Sequence, residues 1–161
     1  MRTFEEIYFE IERVCAYGAP VKDENAKPKA VKIDSRDLLK VMTELLENQT
    51  LYFDSLSCLT GLDNGPAGGT MEVIYNLYSI PFQHHLMVKV TLPRESPVIE
   101  SLCSVWKSAE WHEREAYDMY GIRFENHPDL RRILMPADWE GHPLRKDYVQ
   151  QEYYRDIKVH Y

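Results

Sequence analysis

The densest run of chemically capable side chains is His112-Glu113-Arg114-Glu115. His112-Glu113 opens like the H-E-x-x-H helix of a metalloprotease, where two histidines one turn apart share a zinc ion and the glutamate activates water. The position that must carry the second histidine holds Ala116, so that motif fails. Glu113 and Glu115 stand about 200° apart around a helix and cannot face one ion or one sugar ring together. A metal-dependent enzyme using His112, Glu113 and Glu115 is therefore only a rival reading. Glu110, Arg114 and Asp118, spaced i, i+4 and i+8, instead predict a charge ladder along one helix face. An exposed pair of this kind contributes about 0.3–0.5 kcal/mol, and a buried one matters far more.

The other candidates fall away on spacing. His84 and His85 are adjacent on an expected strand and point to opposite faces. His127, His142 and His160 sit in the expected irregular tail with no cysteine near them in sequence, and no metal site is assembled from them. Cys15, Cys58 and Cys103 form no C-x-x-C pair for zinc or an iron–sulfur cluster, and an odd, scattered set suits a reducing compartment. The glycines at 61, 65, 68 and 69 make neither a dinucleotide fingerprint nor a phosphate loop, and no nucleophile elbow is present. No catalytic, cofactor-binding or metal-binding residue is expected.

The elements that must carry these groups follow from periodicity. Thr3 and Glu6 have capping-box spacing ahead of Phe4, Ile7, Tyr8, Ile11, Val14 and Cys15, which predicts a first helix ending before Gly18. Residues 18–29 read as a loop, residues 30–33 as a short strand, and Asp34 or Ser35 as the cap of a second helix through Leu38, Val41, Met42, Leu45 and Leu46 to Asn48. From Leu51 three strands form an antiparallel meander: LYFDSLSCL, MEVIYNLYS and HLMVKVTL, joined by DNGPAGG and by the turn at Pro81. Ser96-Pro97 predicts a third helix with Val98, Leu102, Val105 and Trp106 on one face, and Ser108 a fourth ending at Gly121. The fold class expected is α+β, a small mostly antiparallel sheet packed with helices over residues 1–125, followed by an extended, irregular C-terminal tail over 126–161.

Composition agrees with one soluble core. The chain has 161 residues, 44% hydrophobic and 28% charged. At this length folding buries roughly two-thirds of the unfolded surface, so neither disulfide nor metal is required for stability. Twenty-six acidic against nineteen basic residues give −7, and the basic residues are dispersed, so nucleic acid is not expected as a partner. The longest stretch free of Asp, Glu, Lys and Arg, Val73–Val88, is too short for a membrane span, and the acidic N-terminus carries no expected export signal. Aromatics are plentiful toward the C-terminus (Tyr120, Tyr148, Tyr153, Tyr154, Tyr161), as in protein interfaces, although they could equally close the domain's own core.

Three segments carry a resemblance: Glu113-Arg114-Glu115-Ala116-Tyr117-Asp118-Met119-Tyr120-Gly121-Ile122, His127-Pro128-Asp129-Leu130-Arg131-Arg132-Ile133-Leu134-Met135-Pro136 and Pro143-Leu144-Arg145-Lys146-Asp147-Tyr148. Together they closely resemble the signature of the 30 kDa subunit family of NADH-quinone oxidoreductase, respiratory complex I, known as the C-type subunit in bacteria and the J-type subunit in chloroplasts and cyanobacteria. The resemblance implies a non-catalytic peripheral-arm subunit that binds no cofactor, with FMN and iron–sulfur clusters held by partner subunits. It implies packing against subunits D, B and I, of which D holds the quinone site, on the cytoplasmic side of the cell inner membrane, with membrane association only through the complex. Glu113, Arg114, Glu115, Asp118, Gly121, His127 and Pro128 would be its structural signature. The tail would wrap a neighbour through interchain pairs of Arg131, Arg132, Arg145, Lys146 and Asp147, with Pro136, Trp139, Leu144 and Tyr148 also at the interface. Equivalent subunits of ferredoxin-dependent complexes or membrane-bound hydrogenases remain alternatives.

Overall fold

The computed structural model describes residues 2–159, so the tail residues His160 and Tyr161 lie outside the described residues. Helix α1 (Phe4–Val14) forms where the capping box predicts it: the Glu6 amide donates to Thr3 Oγ1 at 3.3 Å, and the Thr3 amide to Glu6 Oε2 at 2.8 Å. Ile7, Ile11 and Val14 are its buried face. The expected loop contains a short strand, β1 (Val21–Asp23), whose partner is β2 (Ala30–Ile33). Asp34 then caps a single 3-10 turn, accepting the Arg36 amide at 2.9 Å. Buried Asp37 accepts the amides of Ala16 and Tyr17 at 2.9 and 3.0 Å, which fixes the end of α1 against the start of α2 (Leu38–Glu47).

Strands β3 (Ser55–Asp63), β4 (Thr70–Ser79) and β5 (His84–Pro93) are the expected meander, with a one-turn helix α3 (Gly65–Gly68) in the DNGPAGG connection. The five-stranded sheet has the order β1-β2-β5-β4-β3, and β2 runs parallel to β5, pairing Ala30 with Met87 and Ile33 with Val90. That single parallel pairing joins segments more than fifty residues apart in sequence. Met71, Val73, Tyr75 and Leu77 of β4 and Leu86, Val88, Val90 and Leu92 of β5 alternate into one core with the apolar faces of α1 and α2. The fold is the α+β class expected, a mixed and mostly antiparallel sheet packed with helices.

The helix expected from Ser96-Pro97 does not form. Val98–Glu100 is a strand, β6, paired parallel with β7 (Arg123–Glu125), and the ladder continues outward through Arg123 N to Pro97 O at 2.8 Å and Ser101 N to Glu125 O at 2.9 Å. Pairing with a distant segment outweighs the local Ser-Pro start signal. Leu102 and Trp106 are buried as the helical pattern required, but through turns, with the amides of Val105 and Trp106 both donating to Leu102 O at 2.9 Å. Helix α4 (Ala109–Tyr120) packs along β3. Its contact is close because a Cβ on Gly61 would lie 2.7 Å from the Tyr120 ring. Beyond β7 the chain is irregular until a minimal hairpin of β8 (Tyr153–Tyr154) and β9 (Ile157–Lys158). Among the described residues no helix is long and apolar enough to cross a membrane.

Candidate functional site

Helix α4 buries charge as well as apolar surface: Glu113, Arg114 and Asp118 are all buried beside Ala109 and Ala116. The predicted ladder along Glu110, Arg114 and Asp118 is not made. The same face is covered by the tail, whose backbone supplies better partners. Arg114 donates through Nε to Arg131 O at 3.2 Å and through Nη2 to Arg132 O at 3.4 Å, with its guanidinium 5.2 Å from the centre of the Trp111 ring. Asp118 Oδ2 accepts the successive amides of Ile133, Leu134 and Met135 at 3.0, 2.7 and 2.9 Å, and Oδ1 accepts Arg132 Nη1 at 2.7 Å. Burial works to raise the Asp118 pKa, but the Met135 amide, Arg132 and the other two amides together hold it below the usual carboxylate value.

The end of α4 is likewise finished by the tail. The last carbonyls of a helix have no intrahelical donors. Here His142 Nδ1 meets Asp118 O at 3.0 Å, the Leu144 amide donates to Met119 O at 3.0 Å, and Arg145 Nε donates to Tyr120 O at 2.7 Å. Gly121 makes this approach possible: it adopts φ 75°, and a Cβ there would lie 2.6 Å from His142 Nε2 and 2.8 Å from Arg145 Nη2. One step further, the Lys146 amide donates to Asp63 Oδ2 at 2.8 Å, and Arg94 bridges Asp63, at 2.8 and 3.1 Å, to Asp147. Arg94, with the Lys146 and Gly65 amides, keeps buried Asp63 well below the usual carboxylate range.

Arg132, Arg145 and Asp147, expected to pair with another chain, therefore pair within their own. The physical reason is that the helix end and two buried carboxylates offer nearer unsatisfied groups. The Arg131 side chain is exposed and pairs with its neighbour Asp129 at 2.9 Å, and Lys146 and Pro136 are exposed. Trp139 and Tyr148 are half-buried against each other, Nε1 to OH at 3.0 Å, and line with Met135, Pro143, Gln150 and Val159 a cleft of about 490 Å³. Asp63 and Arg94 give no signal along the chain, since their link to residues 146–147 spans more than fifty residues.

Glu113 has different company. Its Oε1 accepts the Leu102 amide at 2.7 Å and its Oε2 the Ser101 hydroxyl at 2.6 Å, with Cys103 Sγ at 3.5 Å. Burial raises its pKa against the pull of those bonds, and burial pushes the Cys103 thiol up to about 11. His127, at the start of the tail, places Nε2 at 3.0 Å from Glu110 O and accepts the Asp129 amide on Nδ1, also at 3.0 Å. The fold thus brings a cysteine to a tail histidine, which spacing along the chain gave no means of seeing. Glu115 points to solvent, exposed Pro128 follows His127 into the tail, and Glu113 is not joined by His112 and Glu115.

The family model for the respiratory-chain NADH dehydrogenase 30 Kd subunit matches residues 31–154. The chain belongs to that family. The C-type subunit of NADH-quinone oxidoreductase from Chloroherpeton thalassium is 53% identical over 116 residues, 71% of this chain and 48% of that protein. The counterparts from Chlorobium phaeobacteroides and Trichlorobacter lovleyi are 49% and 45% identical, covering 71% and 75% of this chain and 69% and 74% of theirs. The chain therefore spans about half the length of the first of these relatives. Among solved structures, a trypsin-resistant fragment of Nqo5 matches with a TM-score of 0.63 at 27% identity, over 78% of this chain and 98% of that one. A chain of an archaeal membrane-bound sulfane sulfur reductase shares the fold, with a TM-score of 0.64 at 21% identity, over 90% of this chain and 85% of its own.

Within this 30 Kd family member, the tail latched to α4 leaves several of its apolar side chains facing outward. Leu134 is 60% exposed, Leu144 52% and Val149 86%, and Tyr153 and Ile157 are also open to solvent. Exposed apolar residues gathered on one segment mark a contact surface more often than singly scattered ones do.

Proposed function

We propose that the chain is a non-catalytic peripheral-arm subunit of an NADH:quinone oxidoreductase, with neither flavin nor iron–sulfur cluster of its own. In that enzyme electrons pass from NADH through FMN and iron–sulfur clusters in other subunits to quinone, coupled to proton translocation. The chain packs against subunits D, B and I, holds the first of these, which carries the quinone site, in place, and so fixes distances between carriers without touching electrons. It sits peripherally on the cytoplasmic face of the inner membrane, attached only through its partners. Family membership supports the assembly. The observation that carries the role is the tail itself: Asp118, Asp63 and the end of α4 hold it in one conformation while Leu134, Leu144, Arg131 and Lys146 face outward. A surface ordered before contact loses less conformational freedom on docking.

The test is affinity capture of the tagged chain from gently detergent-solubilised membranes, with co-purifying proteins identified by mass spectrometry. Subunits D, B and I should be recovered, and the double variant Leu134→Ser, Leu144→Ser should reduce that recovery at least about tenfold without changing the chain's own thermal midpoint. Recovery of the wild-type chain alone, from the soluble fraction, would overturn the reading. Recovery with a hydrogenase or ferredoxin-binding module in place of the flavin-bearing one would replace NADH as the electron source.

A further inference from the structure

We infer that Cys103, Glu113 and His127 form a binding site for one divalent transition-metal ion of the zinc class. Their donor atoms, one sulfur, one carboxylate oxygen and one imidazole nitrogen, all lie within 4.8 Å of one another. They come from three segments: the turn after β6, the middle of α4 and the first residues of the tail. Sulfur, nitrogen and oxygen in one set of three suit zinc, which takes four ligands tetrahedrally and accepts water as the fourth.

Two further observations distinguish this cluster from an ordinary buried acid. Asp63 and Asp118 each hold an arginine, whereas Glu113, fully buried, shares with Asp37 the lack of a lysine or arginine within ion-pair distance among the described residues, and of these two only Glu113 has a cysteine and a histidine beside it. A buried carboxylate without a cation carries a desolvation cost that a metal ion would offset. The donors are also held from behind, as metal ligands usually are: Ser101 and Leu102 fix both Glu113 oxygens, and the Glu110 carbonyl fixes His127 Nε2. His127 also lines an open cleft of about 680 Å³ with Tyr117, Arg123 and Asn126, which puts the histidine end of the cluster next to solvent. Binding displaces the Cys103 thiol proton to solvent and replaces one of the two hydrogen bonds of the His127 ring.

The purified full chain, stripped with chelator and dialysed, is titrated with Co²⁺ as a spectroscopic stand-in for Zn²⁺. The result expected is one equivalent bound, with a sulfur-to-cobalt charge-transfer band in the near ultraviolet that Zn²⁺ abolishes. Cys103→Ser should remove the band, and Cys58→Ser, at an exposed thiol, should leave it. His127→Gln keeps the thiol and should weaken binding at least about tenfold, which preserves the test should Cys103→Ser fail to fold by circular dichroism. Absence of the band at one equivalent, its survival in Cys103→Ser, or affinity indifferent to His127→Gln would each overturn the site. The assay requires no partner chain, so its failure and the failure of docking are read separately.

Discussion

The body of the protein and its tail are held by different forces. Every buried apolar side chain among the described residues lies at or before Phe124, and nearly all of them form one core shared by α1, α2, the five-stranded sheet and the inner face of α4 with β6 and β7. The tail after it buries no apolar side chain to that degree, with only Leu130 packed half-buried against the core among its described residues, and is fixed mainly by backbone amides on Asp118 and Asp63, by Arg114 on tail carbonyls, and by tail donors on the end of α4. The difference teaches how a segment can be ordered without burying its larger leucines: polar latches fix its path, and Leu134 and Leu144 stay exposed. It also implies that the two regions should fail separately.

The largest effect should come from the body. Phe53 is fully buried, its ring 4.7 Å from that of His84, and Phe53→Ala should cost about 3–5 kcal/mol. A urea titration followed by far-ultraviolet circular dichroism should show the midpoint fall for the whole domain at once. A cost near 1 kcal/mol would mean that the core is not what holds the body, and the contrast would collapse.

Next comes the latch. Asp118→Ala strands three amides and takes from Arg132 its only carboxylate, leaving it backbone carbonyls, those of Trp139 and Gly141 among them, a change of about 3 kcal/mol for a buried pair, and its effect should appear first in the tail. Limited proteolysis should cut between residues 131 and 148 while the body resists, and the urea midpoint should move less than in Phe53→Ala. Simultaneous loss of tail and body would show the two to be one cooperative unit.

How much of this could be read along the chain divides at the same boundary. The helices α1, α2 and α4 and the meander β3 to β5 were legible because their signals are local: the Thr3–Glu6 box, heptad-like apolar spacing, and strict alternation in β4 and β5. The parallel pairing of β2 with β5 and of β6 with β7 was not, since each joins segments with no shared pattern; the Ser96-Pro97 start signal was overridden for that reason. The signature residues around α4 were legible as a pattern, but their partners were not. The i, i+4 rule sees Arg114 and Asp118 as each other's neighbours, and cannot see a tail laid across both.

The smallest effect, and the sharpest separation, should come from pH. Asp118 and Asp63 have folded pKa values below the ordinary carboxylate value of about 3.9, so the stability they contribute is present above that value and is lost as pH falls through their folded values. Acidification below about pH 4 should therefore lower the protection against hydrogen exchange, relative to the intrinsic rate at each pH, of the amides of Ile133, Leu134 and Met135 before that of β4 and β5. Glu113 has the opposite sign. Its pKa is raised, so its contribution is full below the ordinary glutamate value of about 4.3 and is lost as pH rises through the folded value. Glu113→Gln cannot ionise and should flatten the decline in stability that sets in as pH rises above the ordinary glutamate value, in a metal-free sample, while leaving the acid opening of the tail unchanged. If the same variant abolished the acid opening, the tail would be held through Glu113 and His127 rather than through Asp118 and Asp63. The polar latch would then be centred on the start of the tail instead of its middle.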